Sequence, residues 1–255
     1  GLQFKLLNRS RGPAVWSPRA QADKRVYSDW VAKALRQETQ IEWVIGRVGR
    51  LLVKGGSVRG VEFEESVNGD VFGTKLWARS VVVTAGTFLN GLIHVGLERT
   101  PAGRVGEPPS HDLAESLKGL GFRWGRLKTG TPPRLARRTI DFERFDEAHG
   151  DDFPVPFSFM TESIRRQQII CHSLYTTDRV HDLVRKNIDA SPLYNGQIQG
   201  VGPRYCPSLE DKVMRFPDRE RHHIFLEPEG LGVEEIYVNG FSMSLPPEIQ
   251  QTLVN

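Results

Sequence analysis

Three consecutive valines, Val81, Val82 and Val83, run directly into Thr84, Ala85, Gly86 and Thr87 in the stretch RSVVVTAGTFLNG. A short strand with no polar residue on either face must be covered on both, the condition of a strand inside an α/β sheet. The small residues that follow let a ligand approach the backbone, and in open α/β sheets ligands sit beyond the carboxyl ends of such strands. Many buried strands end in a glycine turn and bind nothing, so this motif speaks first to fold class.

The segments around it fit the same class. GLQFKLLN alternates Leu2, Phe4 and Leu6 as a strand does, and a chain opening inside a strand reads as a piece of a larger protein. RAQADKRVYSDWVAKALRQ places Val26, Trp30, Val31, Ala34 and Leu35 at helical spacing, which predicts an amphipathic helix. RVGRLLV, SVRGVEFEE and DVFGTKLWA are strand-like and separated by the turn sequences KGGS and SVNG, which predicts a small antiparallel β-meander. EPPSHDLAESLKGLG predicts a helix capped by Ser110, with Leu113, Leu117 and Leu120 on one face and Gly119 and Gly121 at its end. From about residue 122 the chain becomes rich in proline, glycine and arginine and reads as an irregular connection into a second module. Within that module TTDRVHDLVRKNID predicts a helix capped by Thr177, with Val180, Leu183, Val184 and Ile188 on one side. HHIFLEPEG and EIYVNGFSMSLP predict strands and turns returning to a sheet. The expected organisation is residues 1–125, an α/β part carrying the meander; 126–235, an inserted α+β module; and 236–255, a return to the first part.

Composition narrows the class of partner. With 38% hydrophobic and 25% charged residues, and no apolar run long enough to span a bilayer, the chain reads as globular rather than membrane-embedded. Two cysteines, Cys171 and Cys206, make no disulfide framework, which points to a reducing cytoplasm. A net charge of +3 demands no nucleic acid, although arginines cluster at Arg134, Arg137 and Arg138, at Arg165 and Arg166, and at Arg215, Arg219 and Arg221. Such runs are more often solvated faces than binding sites.

The stretch GPRYCPSLEDKV sets Cys206 between Arg204 and a predicted helix start. Pro207 suits a first helical position, and Ser208 with Asp211 has the spacing of a capping box. A helix N-terminus and the Arg204 cation both favour thiolate over thiol, and Arg204, Lys212 and Arg215 are placed to hold a phosphate nearby. The competing reading is a free cysteine acting as a small buried hydrophobe, and this stretch alone leaves both open. Other chemistry is missing. There is no G-x-G-x-x-G after a strand, no Walker loop, and no C-x-x-C or H-x-x-x-H pair for a metal. Cys171, His172, Cys206, His222 and His223 lack zinc-site spacing. His94, His111, His149 and His181 are expected to be satisfied or exposed, and Glu227 and Glu229 to be solvated beside a turn.

Taken together, TAGTFLNG, GRLKTGTPPR, SPLYNGQIQGVGPRYCPSLEDKVMRF and HHIFLEPEG closely resemble one family from residue 1 to residue 255. It is the family of tRNA uridine 5-carboxymethylaminomethyl modification enzymes, also called glucose-inhibited division protein A (MnmG/GidA). The resemblance implies an α/β fold that is part of a glutathione-reductase-like FAD-binding domain, with the meander and the inserted α+β module built into it. It implies an enzyme that adds a carboxymethylaminomethyl-type group at C5 of the tRNA wobble uridine, position 34. FAD, NADH and methylenetetrahydrofolate are the implied cofactors; tRNA and a GTPase are the implied partners, and the full-length enzyme is expected to be a homodimer.

Carried over by position, Val48 and Ser110 match FAD contacts, and Thr84, Ala85, Gly86 and Thr87 lie in the flavin-proximal turn. The stretch matched to NAD begins with Gly202, Pro203, Arg204, Tyr205, Cys206 and Pro207. It continues through Ser208, Leu209, Glu210, Asp211 and Lys212 to Val213, Met214, Arg215 and Phe216. Cys206 is the implied catalytic residue: a thiolate on uracil C6 would make C5 nucleophilic. The alternative is an electrostatic and structural role, with the chemistry left to the flavin cofactor. The family's amino-terminal glycine-rich loop, its first cysteine and the helical part that docks the GTPase are absent. The chain is therefore expected to be a central fragment that binds FAD weakly and is inactive alone. Any tRNA affinity is expected to depend on the arginine-rich segments and to weaken with salt. Two alternatives remain: a folate- and FAD-dependent tRNA uridine methyltransferase, which lacks the long cysteine-containing block, and a non-catalytic RNA-binding module. A flavin disulfide reductase fails for want of a cysteine pair.

Overall fold

The computed structural model describes residues 1–66, 74–200 and 207–255. In chain order the elements are β1 (Gln3–Leu7), β2 (Ser17–Gln21), α1 (Lys24–Gln37), β3 (Gly46–Lys54), β4 (Ser57–Ser66) and β5 (Lys75–Trp77). Next come β6 (Leu92–Val95), β7 (Glu98–Pro101), α2 (His111–Gly119), β8 (Arg134–Ala136), β9 (Asp146–Ala148) and β10 (Cys171–Tyr175). The chain finishes with α3 (Asp178–Lys186), α4 (Leu209–Arg215), β11 (His223–Pro228), β12 (Glu235–Asn239) and α5 (Pro247–Val254). These form two compact units. Unit one draws on Gly1–Ile41, Thr129–Lys186 and Arg204–Met243; unit two on Glu42–Lys128, Asn187–Pro203 and Ser244–Asn255.

Unit one is built on a five-stranded antiparallel sheet in the order β8-β12-β11-β10-β9. Its central strands alternate as the pleat requires: Ile224 and Leu226 on β11, and Ile236 and Val238 on β12, are all nearly inaccessible. Val184 of α3 and Leu209 and Val213 of α4 are also sealed in this unit's core. The α3 face read from Val180, Leu183 and Val184 is the one turned inward, and the Val180 N–H donates to the Thr177 hydroxyl. The capping box is present: the Asp211 N–H donates to Ser208 Oγ (3.2 Å), while the Ser208 N–H donates to Asp211 Oδ2 (3.4 Å). Ser208 is fully buried, so its hydroxyl has no water to replace the lost partner.

The hairpin β1–β2 pairs in register from Gln3↔Gln21 to Leu7↔Ser17. It joins the unit through Gln3, whose side-chain amide donates to the carbonyls of Ala148 (2.8 Å) and Ile169 (3.0 Å). Helix α1 forms as its spacing predicts, capped by Asp23, which accepts from the N–H groups of Arg25 and Val26. Its apolar stripe is nevertheless uncovered among the described residues: Trp30 is 66% exposed, and Val26 and Leu35 are open as well. Periodicity shows that a helix has one apolar face and is silent on what meets it.

Unit two holds the meander. Strands β3, β4 and β5 pair antiparallel in that order, turning through Gly55 and Gly56, both at positive φ. Part of the third predicted strand and most of SVNG lie outside the described residues. Helix α2 packs on β3, and Ser116 Oγ accepts from the Leu51 N–H (3.1 Å). The hairpin β6–β7 and helix α5 complete the unit, with Gly96 packed against Pro246 at a positive φ. The predicted strand at Val81–Val83 does not form: the segment is irregular and Val82 is 84% exposed. A buried strand needs neighbours on its edges and cover on its faces, and no described residue pairs with this segment.

Two outcomes follow for stability. Ser208→Ala removes half of a buried capping box and should cost about 1 kcal/mol, read as a lower urea midpoint with an unchanged slope. The second concerns pH. Burial first, then neighbouring groups (Arg185 for His181; His181 and Lys212 for His222; Lys5 and Lys212 for His223), hold these unit-one histidines below the ordinary histidine value of about 6.5. They stay neutral when folded, whereas the unfolded chain takes up protons below that value. Stability should therefore be full above about pH 6.5 and decline as pH falls through the histidine range, with His222→Gln flattening the decline in urea titrations.

Candidate functional site

The start of β3, the Phe88 turn and the loop before α2 converge in unit two. Ile45, Gly46, Arg47 and Val48 form one wall of an open cavity of about 470 Å³; Phe88, Glu107, Pro108, Ser110 and Leu113 form the other. The local chemistry explains the opening. Pro108 and Pro109 cannot donate backbone hydrogen bonds, so neither closes the opening with an N–H of its own. Ser110 sits at the N-cap of α2 but makes no side-chain cap bond, which leaves its hydroxyl for the cavity. Its backbone is fixed, with its N–H donating to the Phe88 carbonyl (2.9 Å) and its carbonyl accepting from the Asn90 N–H (3.3 Å). Val48 and Ser110, far apart in sequence, thus share one cavity.

Thr84, Ala85, Gly86 and Thr87 do not line it. They form the turn beside it: Gly86 has φ 55°, the Phe88 N–H closes onto the Ala85 carbonyl (3.0 Å), and Thr87 Oγ1 donates to the Gly103 carbonyl (2.8 Å). This turn aims the Phe88 ring into the cavity wall. Sequence reasoning missed Phe88, Glu107 and Arg47. Phe88 lies within TAGTFLNG and Glu107 three residues before Ser110, so both were inside motifs already singled out.

The cavity's chemistry can be tested against a flavin nucleotide. Its volume falls in the usual range for small-molecule sites, and its apolar walls with a free hydroxyl and a rim carboxylate suit a nucleoside. The Glu107 carboxylate matches a ribose diol, and Arg47 in the same lining, paired with Glu64 (3.7 Å), brings a positive charge to the cavity.

In the stretch matched to NAD, residues 202–206, with Cys206, lie outside the described residues. Ser208, Leu209, Glu210, Asp211 and Val213 are buried within unit one, while Met214 and Phe216 are partly exposed. Of the three basic residues expected to hold a phosphate, Arg204 lies outside the described residues, and neither of the other two stands idle. Lys212 donates to the Gly240 carbonyl (2.8 Å), and Arg215 pairs with Asp211 (3.2 Å).

The expectation that Glu227 and Glu229 are solvated is overturned. Glu227 is 7% exposed and takes Arg19 on both oxygens (2.8 and 2.9 Å). Glu229 accepts from Lys24 (2.8 Å) and Arg134 (2.9 Å). The strand β11 carries Glu227 inward and Glu229 follows directly after its end, which sequence position beside a turn did not disclose. The scattered histidines are satisfied: His94 with Gln197, His111 with Asn90, His149 with Glu147 and His181 with Thr176. Cys171 is buried on β10 and donates to the Gln21 side-chain carbonyl (3.3 Å). Burial, reinforced by the Glu227 charge, pushes its thiol up to about 11, although Arg19 and Lys5 act against the shift.

Fold and cavity define a mixed α/β protein whose second unit carries a nucleoside-sized cleft between a β-meander and a helix N-terminus. The chain belongs to the glucose inhibited division protein A family, whose model matches residues 1–255. It is 49% identical over 254 residues to the tRNA uridine 5-carboxymethylaminomethyl modification enzyme MnmG of Thermodesulfovibrio yellowstonii, and 50% identical over 250 residues to that of Syntrophotalea carbinolica. These alignments cover 100% and 98% of this chain but 40% and 39% of the relatives, so the chain spans about two fifths of their length. The crystal structure of Aquifex aeolicus GidA matches with a TM-score of 0.87 at 46% identity, covering 99% of this chain and 42% of that one.

Cys171 should resist alkylation in the folded chain. At about pH 8 iodoacetamide should leave it unmodified until denaturant is added, as read by peptide mass spectrometry. Native labelling of Cys171 at a rate near that of a free thiol would contradict its burial.

Proposed function

We propose that this chain is the central part of an FAD-dependent enzyme that modifies C5 of the tRNA wobble uridine. The carrying observation is the shared cavity of Val48 and Ser110, read together with near-50% identity to proteins named for that activity. In this reading Ile45, Gly46 and Val48 receive the nucleoside portion of FAD, Glu107 takes its ribose hydroxyls and Ser110 fixes its orientation. The turn Thr84–Thr87 lies towards the flavin. The surrounding fold is part of a glutathione-reductase-like FAD-binding domain, with residues 126–235 as the inserted module.

When bound, FAD would supply reducing equivalents drawn from NADH to the one-carbon unit of methylenetetrahydrofolate. The chain's own contribution is placement and activation. The stretch from Gly202 to Phe216 is the NAD side, and the capped helix α4 forms part of it. Cys206 acts on uracil C6 as a thiolate, raising electron density at C5. The arginine clusters provide the charge for tRNA, while a GTPase partner and a second copy of the full-length protein complete the assembly.

The test isolates the cavity. Titration of the 255-residue chain with FAD, followed by quenching of flavin fluorescence, should show weak binding that Ser110→Ala reduces and Val48→Phe abolishes by filling the cavity. Binding that Val48→Phe leaves unchanged would refute the assignment of this cavity to FAD.

A further inference from the structure

The five-stranded sheet of unit one has a sealed face and an aromatic one. Side chains alternate along a strand, so Ile224, Leu226, Ile236 and Val238, all nearly inaccessible, fill one side. The other side of the same strands carries His223, Phe225 and Glu227 on β11, with Tyr175 of β10 directly opposite His223. The rings there are not packed under cover: Tyr175 is 43% exposed, His223 is exposed and Phe225 is half-buried. They meet one another instead. The Tyr175 and His223 rings stack with centroids 4.6 Å apart and 14° between their planes, and the Phe225 and His223 centroids are 4.2 Å apart.

A cross-strand aromatic pair is ordinary sheet chemistry. This row is distinguished by the charge beside it. The Arg221 guanidinium lies 4.4 Å from the centroid of the Tyr175 ring, and Arg221 makes no ion pair among the described residues. Burial first, then the charges of Lys5 and Lys212, lower the basicity of His223, so its imidazole offers a flat face and a hydrogen-bonding edge without a charge of its own at pH 7. The acidic groups of this face lie at the Phe225 end. They are Glu227, which Arg19 holds on both oxygens (2.8 and 2.9 Å), Asp146, paired with Ser173 on the edge strand β9, and Glu235 at the start of β12. The Tyr175 end is the positive one.

Flat rings on an open sheet face, with a cation at one end, match a nucleobase carried on a phosphodiester: the base stacks and the phosphate meets the arginine. A paired helix keeps its bases stacked on each other and presents phosphates alone, so the match is to an unpaired base. We propose that Tyr175, His223 and Phe225 form a stacking platform for an unpaired base of an RNA strand, with Arg221 on the adjoining phosphate. The platform rests on the tRNA reading of the function but not on the flavin cavity, whose walls it does not share. It adds what arginine clusters do not supply, a contact that tells a loop from a duplex.

The test measures binding of the whole chain to a short unpaired RNA carrying a central 2-aminopurine, and to the same strand paired with its complement. The unpaired strand should bind more tightly, and its 2-aminopurine fluorescence should fall as the base stacks on the rings. Tyr175→Leu keeps apolar bulk without a flat ring, and His223→Ser changes an exposed position. Each should weaken binding of the unpaired strand about tenfold and restore the fluorescence. Tyr175→Phe should keep both affinity and quenching. Arg221→Gln should weaken binding and reduce the slope of log affinity against log salt by about one. Equal affinity for the paired and unpaired strands, unaltered by Tyr175→Leu and His223→Ser, would remove the platform and leave the tRNA reading standing on charge alone. A wild-type chain that binds neither RNA would remove the platform and the tRNA partner together.

Discussion

Two carboxylates at the end of β11 hold unit one together. Glu229 grips Lys24 at the first turn of α1 and Arg134 on the edge strand β8, and Glu227 grips Arg19 on β2. One strand end thereby fixes the hairpin, the helix and the sheet edge. The charges cannot be separated cheaply, because both side chains are at least nine-tenths inaccessible and a lone buried carboxylate is costly. Burial pushes Glu229 towards its protonated form, but the hydrogen bonds from Lys24 and Arg134 outweigh it and hold the group below the ordinary carboxylate value. The same geometry explains why Cys171 is inert: Glu227 adds negative potential where burial already disfavours a thiolate.

Unit two solves a different problem. Its strands are paired in small antiparallel sets, and its polar interest lies where those sets meet loops. The cavity opens where two prolines interrupt the approach to α2, and at the end of the unit's central stretch Lys128 is buried while Leu127 beside it is exposed. In both places the chain gives up the simplest packing. A serine at a helix start leaves its hydroxyl uncommitted, and a lysine replaces a leucine on the inner side. Local departures from apolar-in, polar-out order are where ligand chemistry is found.

Much of this was legible in the residues. The capping box at Ser208 and Asp211, the Thr177 cap, the meander turning at Gly55 and Gly56 and the α2 stop at Gly121 all rest on interactions within a few residues. Such interactions are written locally. The failures share one cause. Val81–Val83 has the composition of a buried strand but no described partner, and α1 has an apolar face with no described cover. Glu227 and Glu229 read as solvated because their partners Arg19, Lys24 and Arg134 lie at distant positions. Each depends on what comes from elsewhere in the chain, which periodicity does not encode. For the cavity, resemblance named Val48 and Ser110 separately, while their meeting, and the presence of Phe88 and Glu107 beside them, is a tertiary fact.

By itself, the sequence determined helices α1, α2 and α3, the capped start of α4, the meander turn and the family, because short-range capping, turn chemistry and long shared motifs are properties of neighbouring residues. Only the tertiary structure decided which carboxylates are buried, which cysteine is silenced, and that Lys128 is buried while Leu127 beside it is exposed. Burial and electrostatic potential are sums over residues brought together from distant positions, and no local pattern carries such a sum.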